Sequence, residues 1–458
     1  MAHDTRIVRN EHKIPDIREA IPAWIKRLER PEAPSLVPRF GPLEGLRVVG
    51  TGVFVAQPFA ATKFAEFGAE VIHVERPGGD TFRFFDPMLT RGPRPHGSDV
   101  AEVGKNKLSM GIDLRTPRGV ELLMALWKIS DVWMECSAPG TLERAGITNE
   151  LALAINPGLV ILRISTYGQF GKQEYLGRPG YDAMAQAYGG MMNVTGDPNG
   201  PPQRAKVFTG DYITALTGWA STMMALWEVK KTGRGQVVDL AQYEAVAQTQ
   251  GHTMPLYTGQ GAVYGHTGNK APGFQPYDTF KCSDGWVFIG ALGGSMFPRL
   301  PPLLGLDPAV YSYEACSRDV TAVNSEPGRE IDRRLREYCA TRTALAVETE
   351  LNNAQIGCAR VLNMRDQYED EHYNAREMTV PVLDRQSGVP VRVFGVVPKM
   401  SLTPGRIWRG APSVGDDTTD ILKTLLSLDG AAIDDLYSGG AVHRTEPFTT
   451  PQVEAVHP

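Results

Sequence analysis

A chain of 458 residues can bury a large core and has room for roughly two to four domains. Its 42% hydrophobic and 22% charged residues are those of an ordinary globular protein, and a net charge of −5 gives no footing for nucleic acid or an anionic membrane surface as partner. No apolar run approaches the roughly 20 residues of a membrane span, Met1-Ala-His-Asp-Thr-Arg6 lacks a signal-peptide core, and five scattered cysteines without a Cys-x-x-Cys read as reduced thiols of a cytoplasmic protein. The nine histidines show no metal-ligand spacing, so no metal is expected.

Residues 1–40 read as an extension, in which Ile17, Ala20, Ile21, Trp24, Ile25 and Leu28 recur at helical spacing around an interrupting Pro22. This suits a short helix docked on the main body, followed by a linker from Pro31 to Pro38. Leu46–Gly50 is a buried-strand pattern, Pro58–Phe67 a helix stopped by Gly68, and Ala69–Glu75 the next strand, a β-α-β unit with a parallel sheet. Leu108–Asp113, Asp131–Glu135 and Leu159–Ile164 add strands, with a helix over Pro117–Ile129. Gln236–Leu240 adds another, and the alternation argues for an open, doubly wound sheet.

Beyond about residue 260 the texture changes. Asp278–Gly290 reads as a hairpin turned at Asp284-Gly285, helices follow to about 350, and Val380–Val397 holds two strand-like stretches. Thr418–Leu428 and Ile433–Tyr437 are helical, so the stretch after about 260 reads as an α+β insert between two parts of one larger domain. Tyr257–Tyr264 and Gly265–Gly273 are glycine-rich, plain loops or a flexible lid.

Gly210-Asp211 opens a long apolar helix pattern that closes at Lys230, Lys231 and Gly233. Asp211 reads either as the N-cap of that helix or as a carboxylate nucleophile kept ionised by the helix N-terminus, and the two readings are compatible. Gly50-Thr51-Gly52 after a strand, with Glu75 ending the next, superficially suits a dinucleotide. The third glycine of that fingerprint is missing, however, because Val55 stands in its place. Arg76, Arg83, Lys105, Lys107 and Arg144 fall in loops or after strands, either solvated surface or the cations of an anionic-ligand site.

At Gly41–Val49, Phe67–Ile72, Asn106-Lys107, Gly168-Gln169, Ala185–Ala187, Gly210-Asp211, Lys231–Gln236 and Asn269-Lys270, the chain resembles the class III coenzyme A transferases, the carnitine, formyl and bile-acid CoA-transferases. Pro404–Pro412 and Gly415–Thr418 look most like the carnitine and bile-acid branch. The resemblance runs from about Phe40 to Val442 and implies an α/β fold with a Rossmann-like large domain built from both chain ends, a smaller α+β middle domain, and an interlocked homodimer. It implies boundaries of 41–242 and 366–458 for the large domain with its return linker, 243–267 for a linker and 268–365 for the small domain. The substrates it implies are coenzyme A in an acyl-CoA thioester and a small carboxylic acid, carnitine-like or otherwise bulky.

By the same resemblance Asp211 is the catalytic aspartate, and Phe54, Val55 and Ala56 form the loop beside the thioester. Arg76, Lys107 and Arg144 are the cations for the nucleotide part of coenzyme A, and Tyr181 also contacts it. Val55 replaces a common Gln, so its oxyanion contact would pass to backbone N–H groups. The formyl-type run of four glycines is absent, which argues against oxalate or formate. A 2-methylacyl-CoA racemase would need His at Tyr181, and a neutral phenol is a poor proton acceptor at pH 7. An acyl-CoA-binding protein without turnover is the non-enzyme alternative.

Overall fold

The computed structural model describes residues 19–30 and 35–445. These divide into two compact units: one holds the described residues up to Met191, Ala205–Gly251 and those from Arg376 on, the other Met192–Arg204 and His252–Ala375.

The first unit is built on a seven-stranded sheet. Strands β1 (Arg47–Gly50), β2 (Glu70–Glu75), β3 (Leu108–Ile112), β4 (Val132–Glu135), β5 (Val160–Ser165) and β6 (Val237–Ala241) run parallel, and β7 (Val442–His443) closes one edge antiparallel to β3. The order is β7-β3-β2-β1-β4-β5-β6, so the winding direction reverses between β1 and β4. Both faces are covered, which is why the strands read as unbroken apolar runs. Val49, Ile72 and Ile161 join the core on one face, Val48, Val71 and Leu162 the core on the other.

The helices of this unit that build the core or position the site include α1 (Ala56–Glu66), α2 (Pro117–Lys128), α3 (Asn149–Ile155), α4 (Asp182–Tyr188), α5 (Thr209–Thr232) and α6 (Gln242–Ala247). Helix α2 starts as its sequence directs, with Pro117 in the first turn and the Thr116 hydroxyl accepting from the Gly119 N–H. Helix α5 ends at Gly233, whose φ of 71° suits glycine. Its start differs from the expected one. The helix begins at Thr209, so Asp211 lies inside the first turn, and Phe208 holds the cap position at φ 49° with no side chain to cap with.

Ala23–Arg27 is helical, and Ile21 and Ile25 join the core of this unit; Ile17 and residues 31–34 of the expected linker lie outside the described residues. The second unit has an antiparallel three-stranded sheet, Gly357–Arg360 beside Trp286–Gly290 beside Tyr277–Lys281. Helices Glu326–Ala340 and Ala344–Asn353 contribute Ile331, Leu335, Val347 and Leu351 to its core. Among the described residues no helix is long and apolar enough to cross a membrane.

A buried ion pair ties off the carboxyl end of β2. Arg83 reaches Glu75 through Nε at 2.7 Å and Nη2 at 2.8 Å, and the Ser109 hydroxyl donates to the same carboxylate at 2.8 Å. Burial alone would raise the Glu75 carboxyl, but the Arg83 charge and hydrogen bonds outweigh it and hold it at about 2. Replacing Arg83 with Met strands a buried carboxylate, and urea melts at pH 7 should show a loss of about 3–5 kcal/mol, most of it regained when Glu75→Met is added. The paired Glu75 contributes stability above its unfolded value of 4.5 and loses it as pH falls through about 2. Wild-type protein should therefore weaken across that window more than the double variant does.

Candidate active site

The carboxyl ends of β1, β4, β5 and β6 surround a cavity of about 220 Å³, at the reversal point where open α/β sheets bind ligands. Val53, Phe54 and Ala56 reach it after β1, Cys136 after β4, Ile164, Ser165 and Thr166 from β5, and Gln242 after β6. Gly180, Tyr181 and Asp211 complete the wall.

Asp211 is only 7% exposed. Its Oδ1 accepts from Gln242 Nε2 at 2.5 Å, and the Thr166 hydroxyl donates to Gln242 Oε1 at 2.9 Å. The Asp211 N–H donates to Asp182 Oδ1 at 3.2 Å, while Gln186 Nε2 holds Asp182 Oδ2 at 2.8 Å. Asp182 therefore does the capping that Phe208 cannot, and the Asp211 carboxylate is left to face the cavity. Burial raises the Asp211 carboxyl most, the Asp182 charge raises it further, and the Gln242 hydrogen bond opposes both, leaving it at about 7. Contrary to the expectation from sequence, the helix N-terminus does not keep this acid fully ionised at neutral pH, because desolvation is the larger effect.

The loop after β1 is held in an unusual conformation. Phe54 has φ 64°, its N–H donates to Asp80 Oδ2 at 2.9 Å, and its ring lies 5.7, 5.4 and 5.8 Å from those of Phe82, Phe85 and Tyr181. Val55 turns away from the cavity into an apolar cluster with Phe82, Val100, Val103 and Ala411. Tyr181 is 59% exposed at the cavity rim.

A second cavity, of about 310 Å³, lies at the carboxyl ends of β1, β2 and β3 and shares Val53 with the first. Arg76 lines it, exposed, donating to the Gly79 carbonyl and the Thr81 hydroxyl. Lys107 departs from the expected nucleotide contact. It is 1% exposed, its ammonium donates to the Pro58 carbonyl at 2.6 Å, and burial lowers it to about 7. Arg83 and Lys105 are likewise internal, paired with Glu75 and with Glu66 and Glu102. Arg144 sits in the exposed turn Glu143–Ala145 and lines neither cavity.

Sequence reasoning passed over Thr166, Gln242 and Cys136. Each is the first residue past a strand, so reading the polar residues just after each apolar run would have singled them out.

The CoA-transferase family III model matches residues 43–418. A bile acid CoA-transferase of Clostridium scindens is 34% identical over 396 residues, covering 85% of this chain and 86% of its own. A succinyl-CoA–D-citramalate CoA-transferase of Chloroflexus aurantiacus is 33% identical, covering 84% of this chain and 94% of its own. An L-carnitine CoA-transferase of Proteus mirabilis is 30% identical, covering 85% and 94%. The solved structure of a CAIB/BAIF family protein from Brucella suis matches 84% of this chain and 100% of its own, with a TM-score of 0.75 at 27% identity.

Carbon-13 NMR of labelled aspartates should find one carboxyl titrating near pH 7, and Asp182→Asn, which removes the adjacent charge, should move that titration to lower pH. Arg76 and Lys107 should separate cleanly. Arg76→Ala should raise KM for an acyl-CoA about tenfold with an unchanged melting temperature. Lys107→Met, which removes one of the hydrogen bonds on a buried carbonyl that the Thr62 hydroxyl still satisfies, should lower stability by about 0.5–1.5 kcal/mol and leave KM alone.

Proposed function

Given that the chain belongs to CoA-transferase family III, and is with that family a transferase enzyme, we propose that it passes coenzyme A from an acyl-CoA thioester to a carboxylic acid through a covalent intermediate on Asp211. The observation that carries this reading is a buried carboxylate, hydrogen-bonded to a neutral amide and facing a cavity at the sheet's reversal point.

The Asp211 carboxylate attacks the thioester carbonyl, the C–S bond breaks, and a mixed anhydride and CoA thiolate form. The thiolate then attacks the Asp211 carbonyl carbon, the donor acid leaves as its carboxylate, and an aspartyl-CoA thioester remains. An acceptor carboxylate reverses the two steps and departs as its CoA thioester. The Arg76 cavity would hold the nucleotide, with the pantetheine arm passing Val53 to the reaction cavity. Binding energy remote from the reacting atoms then orders the exchange. Relatives named for bile acid and L-carnitine support an acceptor that is carnitine-like or another bulky carboxylic acid. Five unpaired cysteines support a reducing, cytoplasmic setting.

We also propose an interlocked homodimer. Helix α5 leaves Leu216, Met224 and Trp227 exposed along one stripe, an apolar face suited to a second copy of the chain. Light scattering should give twice the chain mass, and Trp227→Glu should yield monomer.

Mass spectrometry after incubation with a panel of acyl-CoAs, quenched with hydroxylamine, should place a covalent mark on the peptide holding Asp211. Asp211→Asn should abolish the mark and transfer together; full activity in that variant would end the proposal. The same substitution should stabilise the fold. A carboxyl raised to about 7 keeps its stability below its unfolded value near 3.8 and loses it as pH rises through 7, so Asp211→Asn should gain in melting temperature at pH 8 and not at pH 3.

A further inference from the structure

Gln242 is joined to the reacting carboxylate by the shortest hydrogen bond in the cavity wall, 2.5 Å from Nε2 to Asp211 Oδ1. Its amide is fixed in one sense. The Asp211 carboxylate can only accept, so the NH₂ end faces it and the oxygen end takes the Thr166 hydroxyl. Thr166 owes its own place to Gly180, because a Cβ there would lie 2.3 Å from the Thr166 hydroxyl. Gln242 and Thr166 are both buried, each at the carboxyl end of a strand.

We propose that Gln242 is a catalytic residue of the transfer, the donor that stabilises the oxyanion formed on Asp211 each time coenzyme A is loaded onto or taken off that carboxyl. The inference rests on Asp211 being the nucleophile. When Oδ2 bonds to the donor acyl carbon, Oδ1 becomes the carbonyl oxygen of the anhydride. The incoming thiolate forms an S–C bond to Cγ, and the C=O electron pair moves onto Oδ1. That pair returns as the Cγ–Oδ2 bond breaks, and the donor carboxylate leaves with the bonding electrons. No proton is transferred. The charge arises on the atom that already holds the Gln242 N–H, so the donor is in place before the reaction starts. A neutral amide suits the work, since a cation would neutralise the nucleophile in the resting enzyme. Thr166 acts through Gln242 and is a positioning residue.

The test is rapid-quench intact-protein mass spectrometry of the full chain mixed with succinyl-CoA, with acetyl-CoA in parallel, reading the fraction that carries a CoA adduct against time. Gln242→Leu and Gln242→Met remove the donor and fill its space. Adduct formation should slow about 10²-fold or more in both, while KM for the thioester stays within about twofold. Because the Gln242 hydrogen bond lowers the Asp211 carboxyl, its loss should also move the acid limb of the rate profile to higher pH. Thr166→Val, which leaves the Gln242 donor present but unanchored, should show a smaller loss and a smaller displacement of the limb in the same direction, and Thr166→Ser should restore both. Two donor-free variants with melting temperatures near wild type exclude a folding explanation, and if neither folds, Thr166→Val carries the test. Adduct formation at the wild-type rate with an unmoved limb in the variants would overturn the role of Gln242 alone. Turnover by wild-type enzyme with no adduct from either thioester would overturn the Asp211 reading and this one with it.

Discussion

Everything at this site depends on a carboxylate taken out of water without a counter-ion. Arg83, Lys105 and Lys107 are all internal, yet Asp211 accepts its side-chain hydrogen bond from an amide rather than from any of them. A salt bridge would hold the acid low and occupy its lone pairs. Burial beside Asp182 lifts it to about 7, and one neutral donor limits the rise. The result is an acid in which ionised and protonated forms are close in free energy at neutral pH, so its carboxylate has lost solvation without being paired off.

That arrangement needs another residue to cap the helix. A carboxylate at a helix start normally accepts the free N–H groups, which would consume the oxygens the proposed transfer requires. Here Asp182, from α4, reaches across to the Asp211 N–H. Gly210 makes room for it, since a Cβ there would meet Asp182 Oδ1 at 3.1 Å. The Gly-Asp pair is thus a packing requirement as much as a chemical one. The sheet supplies the rest. Its reversal between β1 and β4 opens a crevice into which residues 54, 136, 166 and 242 project from four strand ends, although they are distant in sequence.

The strands and long helices were legible in the sequence because apolar runs of four to six residues bounded by Gly, Asp and Pro leave little choice once both sheet faces are covered. Asp211 was legible as a residue of interest but not as to its role. Whether its carboxylate is spent on the helix start or faces the cavity turned on Asp182, whose approach depends on how α4 packs against α5. The Thr166–Gln242–Asp211 chain was not legible, since it joins residues 76 and 31 positions apart that the pairing of β5 with β6 and the packing of α5 beside them bring together. Lys107 misled for the opposite reason. A lysine next to a strand reads as a surface cation, and nothing local reveals that its ammonium ends on the Pro58 carbonyl in the interior.

A thiol shares the cavity with the proposed nucleophile, and the physical chemistry keeps it silent. The Cys136 thiol lines the wall with Asp211 and accepts from the Val53 N–H at 3.2 Å. Burial is the largest influence on it and pushes it up to about 12, with the charges of Glu135, Asp80 and Asp211 acting in the same direction. At neutral pH it remains a thiol, and only a thiolate would capture an acyl group from a thioester. The same desolvation that raises Asp211 to about 7 raises Cys136 far beyond reach, because the sulfur starts near 9 and the carboxyl near 4. Burial beside neighbouring carboxylates thus silences the intrinsically stronger nucleophile and leaves the carboxylate poised. For the transfer proposed here that matters, since an acyl group moved to Cys136 would release coenzyme A as its free thiol and leave the Asp211 carboxyl unactivated, with nothing to carry coenzyme A to the acceptor acid.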